Sequence, residues 1–261
     1  MLHPRRRKRI VIKLGTGVLT TAKQHHDIPH MTKLVKQIAY LVGKLNWEVL
    51  VVSSSAVCGG MPVLGFKTRP LEVPEIQACA AIGQSRLMTI YQQLFSKYKI
   101  NVAQVLLTHP DIDSRTRYRN AQNTLDRLLI HNVVPIINEN DTVAVDEIKF
   151  GDNDRLSAYV SEMVKADLLV ILSMTDGLMT SLETSGQLVK RVVKIDDKIR
   201  RMASGPRSNL SVGGMISKIE AAALAVNNGI PVIIGHGRAP EILIKIAQGK
   251  DMGTYFEPRK K

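Results

Sequence analysis

The chain has 261 residues, 44% of them hydrophobic, which excludes a disordered polypeptide and allows one or two domains with a large core. Its formal net charge of +13 points to anionic partners, nucleotides or nucleic acid, but aromatics at only 4% give little for stacking on single strands. No apolar run has membrane-helix or signal-peptide character, and two cysteines, Cys58 and Cys79, form neither a disulfide framework nor a metal cluster, as expected of free thiols in a reducing cytoplasm.

In chain order, Arg5–Arg9 is the densest basic run and reads as a solvated tail, with nucleic acid the less favoured partner. Arg9–Leu14 follows as a first strand, nearly continuously apolar as a strand covered on both faces should be. Lys13 interrupts it just before Gly15-Thr16-Gly17, where glycines let a ligand approach the backbone and amide N–H groups can face an anion. His30–Leu45 carries Leu34, Ile38 and Leu41 on one helical face. Glu48–Val52 is a second strand, ending in Ser53-Ser54-Ser55-Ala56 and Gly59-Gly60, small donors at a strand-to-helix turn. The triple serine lacks the G-x-S-x-G pattern of a nucleophile elbow, which argues against a hydrolase. Pro62–Pro74 reads as a loop, Glu75–Lys97 as a long helix, Val102–Leu107 as a strand and Ser114–His131 as a helix capped by Ser114. His109 has no partner cluster for a metal and reads as structural.

Val133–Tyr159 is the richest stretch. A buried-strand pattern, Val133–Ile137, releases two bursts of polar side chains, Asn138-Glu139-Asn140-Asp141 and Asp152-Asn153-Asp154. A β-like alternation, Thr142–Phe150, separates them, and a helix with Leu156, Val160 and Met163 in register follows. A strand ending in one such cluster, with a second at a helix start, suits a small charged ligand. Ala166–Leu172 is the next strand, ending in Ser173-Met174-Thr175-Asp176. Gln187–Lys190 and Val192–Ile195 are short extended pieces, and Asp197–Met202 is helical by pattern. Val212-Gly213-Gly214-Met215-Ile216-Ser217-Lys218 opens a helix that Gly229 stops. Glycines and a lysine at a helix start bring free N–H groups, the helix dipole and a cation together for a phosphate, although the spacing is not that of a P-loop. Pro231–Ile234 reads as a strand, Pro240–Ala247 as a helix and Thr254–Phe256 as a last short strand.

The alternation of strands and helices predicts an α/β fold, a three-layer αβα sandwich around a mostly parallel sheet. Ligands of such folds gather at the carboxyl ends of strands, where Lys13, Ser53–Ser55, Asn138–Asp141 and Thr175-Asp176 all fall.

These motifs resemble, in order and over nearly the whole chain, those of the amino acid kinase family. The matching segments are Ile12–Thr20, Val52–Gly60, Ile137–Ala158, Ala166–Leu178 and Gly213–Ala222; the INEND…FGDND…LSA pattern is the specific one, and it resembles the branch that phosphorylates the γ-carboxylate of glutamate. The resemblance implies ATP and Mg²⁺ as cofactors, L-glutamate as substrate, and the first step of proline biosynthesis. It implies that Lys13 and Lys218 stabilise the transferring phosphoryl group and that Asp152 and Asp154 hold those lysines. It implies glutamate binding by Ser54, Asp141 and Asn153. Nucleotide binding falls to Lys13, Thr175, Asp176, Val212, Gly213, Gly214, Met215, Ile216, Ser217 and Lys218. It further implies one kinase domain over 1–261, with an amino-acid lobe over about 1–166 and a nucleotide lobe over about 167–261. A C-terminal PUA domain, carried by many bacterial members, is expected to be absent. A homo-oligomer, dimer or tetramer, inhibition by proline, and coupling to glutamyl phosphate reductase are expected on the same ground.

The chain departs from the family pattern in its serine turn, in its nucleotide loop and in the segment after Asp176, which is shorter than usual. Ser55 stands where the serine turn usually has glycine, and Ser211-Val212 where the nucleotide loop usually has Gly-Thr. Two other readings remain open at this point: a sister kinase of the acetylglutamate or UMP type, and a catalytically weak nucleotide-binding regulator.

Overall fold

Among the described residues, strand β1 (Arg9–Leu14) lies inside an eight-stranded sheet of order β3-β4-β2-β1-β5-β7-β8-β6. The other strands are β2 (Glu48–Ser53), β3 (Val102–Leu107), β4 (Val134–Glu139), β5 (Leu168–Ser173), β6 (Arg191–Val192), β7 (Val232–His236) and β8 (Thr254–Phe256). The structure is a computed structural model and describes residues 7–143, 153–181, 186–204 and 214–259. Strand pairs are parallel except that β8 runs antiparallel to β7.

The helices are α1 (Thr16–Leu19), α2 (Ile28–Gly43), α3 (Ala56–Gly60), α4 (Val73–Ser96), α5 (His109–Asp113), α6 (Arg115–Ile130), α7 (Asn153–Met163), α8 (Asp197–Ser204), α9 (Met215–Asn227) and α10 (Ile242–Ala247). Helix α2 starts where the Asp27 carboxylate accepts the His30 N–H at 3.0 Å, and α6 where Ser114 caps Arg117. The short helices α1, α3 and α5 are additions to the sequence reading; at four or five residues they show no periodicity to detect.

Alternation along β1 builds the two faces. Ile10, Ile12 and Leu14 enter a core with α2, α4 and α10, whereas Val11 enters one with α6, α7 and α9. Lys13 shares the parity of Val11 and so belongs to the face of α7 and α9. This is the expected three-layer sandwich. Among the described residues no helix is long and apolar enough to cross a membrane.

Two features tie the periphery down. Arg7 and Arg9 do not form the solvated tail expected of the basic run. Arg9 Nε meets Glu48 Oε2 at 2.7 Å and its Nη1 meets Asp126 at 2.9 Å, while Arg7 Nη2 reaches Glu48 Oε1 at 3.1 Å. Lys8 lies over the Trp47 ring, 4.4 Å from its centre. Arg5 and Arg6 lie outside the described residues. Second, α3 and α4 touch backbone to backbone: a Cβ on Gly60 would collide with the Cys79 carbonyl, and one on Gly83 with the Ala56 carbonyl.

Candidate active site

The parallel register brings four strand ends to one edge of the sheet. Leu14 stands opposite Ser53 of β2 and Leu172 of β5, and Val52 opposite Ile137 of β4. Lys13, the serine turn, Asn138 and Ser173 therefore end side by side, as the sequence predicted. Helices α7 and α9 begin at this edge, so the second polar burst and the lysine of the glycine-rich helix start arrive there too.

Asp154, in the first turn of α7, is fully buried. Its Oδ1 lies 2.5 Å from Lys13 Nζ and its Oδ2 lies 3.0 Å from Lys218 Nζ. Ser217 Oγ also donates to Oδ2, at 3.0 Å. Both lysines are themselves buried, each 5% exposed. Burial alone would raise the Asp154 pKa, but the neighbouring Lys13 and then Lys218 outweigh it and hold the carboxyl well below the ordinary carboxylate value. Two cations from strand β1 and helix α9, 205 positions apart in sequence, are thus fixed by one carboxylate.

Beside this charged junction lies a neutral one, centred on Asn153. Its Nδ2 donates to Asn138 Oδ1 at 2.9 Å, Ser54 Oγ at 3.0 Å and the Ser53 carbonyl at 3.2 Å. Asn138 Nδ2 donates in turn to Gln84 Oε1 of α4 at 2.8 Å. Ser53 Oγ bonds the buried Tyr91 hydroxyl at 2.8 Å, and burial pushes that phenol up despite the bond. Among the described residues, three buried polar atoms here have no hydrogen-bond partner: Asn153 Oδ1, Gln84 Nε2 and Ser55 Oγ. Ser55 itself has a left-handed backbone, φ 83° and ψ 11°.

The remaining residues singled out from sequence are distributed as follows. Asp141 lies, partly buried, in the turn after β4. Thr175 and Asp176 are exposed past the end of β5, where Thr175 Oγ1 and Ser173 Oγ are 2.9 Å apart. Gly214 caps α9, its carbonyl accepting from Ser217 Oγ at 2.9 Å, and Met215 and Ile216 pack partly against the α7 core. Asp152, Val212 and Gly213 lie outside the described residues. His109 pairs with Asp113 at 3.1 Å on the surface, and Cys58 and Cys79 are buried free thiols whose pKa burial raises.

The sequence reading missed Gln84 and Tyr91 as members of the site. Gln84 had a detectable signal: it falls on the face of α4 marked by Ala80, Gly83, Leu87 and Tyr91, where a polar residue is buried and needs partners. A cavity of about 370 Å³ lies against α3 and α4, lined by His25, His26, Cys58 and Arg86, and none of its lining residues belongs to either junction.

Comparison with known proteins identifies the family and the fold. The model of the amino acid kinase family matches residues 8–236. The glutamate 5-kinase of Dehalococcoides mccartyi is 47% identical, covering 96% of this chain and 69% of the relative. That of Citrifermentans bemidjiense is 44% identical, covering 96% and 68%. Among solved structures, the carbamate kinase of Giardia lamblia bound to AMP-PNP superposes with a TM-score of 0.69 at 15% identity, over 97% of this chain and 99% of that one, which speaks to the fold alone. The chain belongs to the amino acid kinase family, on its glutamate 5-kinase branch.

Proposed function

We propose that this chain transfers the γ-phosphoryl group of ATP to the γ-carboxylate of L-glutamate, giving L-glutamyl 5-phosphate and ADP, the first step of proline biosynthesis. The observation that carries the reading is Asp154, which fixes Lys13 and Lys218 together next to the Asn153 junction. Phosphoryl transfer asks chiefly for in-line placement and for positive charge where negative charge develops, and two oriented ammonium groups supply the second. A glutamate γ-carboxylate is ionised at neutral pH, since its ordinary pKa is about 4.3. One of its oxygens forms the new bond to phosphorus, and ADP departs with the electrons of the broken bond. No proton has to move, so a general base is not needed, and none is assigned.

In this reading Lys13 and Lys218 pair with the phosphoryl oxygens. Asp154, with Asp152, keeps both lysines charged and aimed. Ser54, Asn153 and Asp141 hold the amino acid, Asp141 facing its ammonium. Gly214 to Lys218, preceded by Val212 and Gly213, and the exposed Thr175 and Asp176 bind the nucleotide. Asp154 is committed to lysines on both oxygens, which supports Mg²⁺ held by the nucleotide. When bound, the ion neutralises phosphate charge. We further read 1–166 as the amino-acid lobe and 167–261 as the nucleotide lobe. Asp154 of the first reaches Lys218 of the second, which supports catalysis where the two meet. A homo-oligomer is supported by Val63, Leu64 and Leu71, apolar residues exposed between α3 and α4. The unstable acyl phosphate product suits direct use by a reductase.

Incubation with MgATP, L-glutamate and hydroxylamine should yield γ-glutamyl hydroxamate. If neither hydroxamate nor glutamate-dependent ADP forms, the proposal is wrong. Running N-acetylglutamate and UMP in parallel tests the sister kinases.

A further inference from the structure

Ser55 is disfavoured at its position in two independent ways. Its φ of 83° is left-handed, a region that a residue with a β-carbon occupies at a cost. The residue is 6% exposed, and its Oγ is buried with no hydrogen-bond partner among the described residues. Glycine would remove both costs at once. The strained backbone is nevertheless held from two directions, because the Ser55 carbonyl accepts from Gly59 N at 3.2 Å and from His26 Nε2 at 3.2 Å.

The surroundings say what the hydroxyl is for. Ser54 Oγ already accepts from Asn153 Nδ2, and Asn153 Oδ1 is the second buried atom of this junction that lacks a partner. The junction therefore leaves three groups unused: the Asn153 amide oxygen, which can only accept, and the Ser55 hydroxyl and Gln84 Nε2, which can donate. The head of an α-amino acid offers the converse, an ammonium that donates and a carboxylate that accepts.

We propose that Ser55 is a substrate-binding residue, whose hydroxyl donates a hydrogen bond to a carboxylate oxygen of the bound amino acid while Asn153 Oδ1 accepts from its ammonium. This rests on the glutamate reading above. Ser55 thereby exchanges fold stability for grip on the substrate, and it raises affinity for the amino acid without touching the phosphoryl group.

The test compares the full chain with Ser55→Ala and Ser55→Gly in the hydroxamate assay and in thermal unfolding. Loss of a hydrogen bond to a charged group should raise the glutamate KM about tenfold or more in both variants. The ATP KM and kcat should remain within about twofold, since neither the nucleotide nor the transition-state charge meets this hydroxyl. Ser55→Gly should also melt at a higher temperature than the parent, because it relieves the left-handed strain, whereas Ser55→Ala keeps it. A purely structural role would move the melting temperature and leave the glutamate KM alone. If both variants of an active chain keep the parental glutamate KM, the Ser55 assignment is overturned and the kinase reading stands. If the parent forms no hydroxamate, both fall.

Discussion

The two junctions of the site are built from consecutive residues, Asn153 and Asp154, and they solve opposite problems. Successive positions on a helix point about 100° apart, so the first turn of α7 serves two neighbourhoods at once. Asp154 turns to β1 and α9 and gathers charge in a fully buried place. Asn153 turns to β2 and β4 and gathers neutral amides and hydroxyls. The charged junction is closed within the chain: both carboxylate oxygens have lysine partners. The neutral junction is left open, with Asn153 Oδ1, Gln84 Nε2 and Ser55 Oγ unpartnered among the described residues. On the proposed function, the cluster assigned to the highly charged phosphate is preassembled, and the cluster assigned to the zwitterion keeps unused hydrogen-bonding capacity for it.

The largest expected effect is at the charged junction. Asp154→Ala leaves two buried ammonium groups without this carboxylate and should cost about 3–5 kcal/mol in unfolding free energy, read from urea melts. Activity should fall by about 10² to 10³ or more as the lysines lose their aim. Replacing all three members by apolar residues of similar size should restore much of the stability and none of the activity, which separates the two roles. The same junction sets an acid limit. The folded Asp154 pKa, about 2, is depressed from its ordinary 3.8, so its contribution to stability is complete above about pH 4 and disappears as pH falls toward 2. Asp154→Asn should flatten that limb of the pH–stability curve.

Next comes the support beneath the neutral junction. Gly83→Ala forces a methyl group against the Ala56 carbonyl and should cost about 1–3 kcal/mol in thermal stability, with a raised glutamate KM because the serine turn shifts. Asn138→Ala strands Gln84 Oε1 and removes one of the three acceptors of Asn153 Nδ2, and should cost about 1–3 kcal/mol while weakening glutamate more than ATP. An equal loss of both affinities would mean that the two junctions are a single unit. The smallest effect is expected from Arg9→Ala. Its ion pairs to Glu48 and Asp126 are only partly buried, so we expect about 1 kcal/mol in stability and unchanged kinetics.

How much of this was legible in the sequence differs between the junctions. The strands and long helices follow from periodicity, and strand parity alone sends Lys13 to the α7 and α9 face. The polar bursts and the glycine-rich helix start identify chemistry because each sits where an apolar pattern ends. The partners within the neutral junction are harder to read. Asn138 looks like the first of four loop residues but is the buried end of β4, and Gln84 is a lone amide in a long helix. Their pairing spans 54 positions and depends on sheet order, which hydrophobic pattern does not encode. Arg7 and Arg9 were misread for a related reason: a basic run looks solvated until its long-range carboxylate partners are known.

The glycine contact between α3 and α4 has a mechanical consequence. Where side chains separate two helices, they act as a compliant layer that absorbs small shifts. Gly60 and Gly83 remove that layer, and main chain rests on main chain. Helix α4, at 24 residues about 36 Å long, therefore bears directly on α3, the helix that follows the serine turn. Whatever grips its outer end bears, through α3, on the turn that presents Ser54 and Ser55.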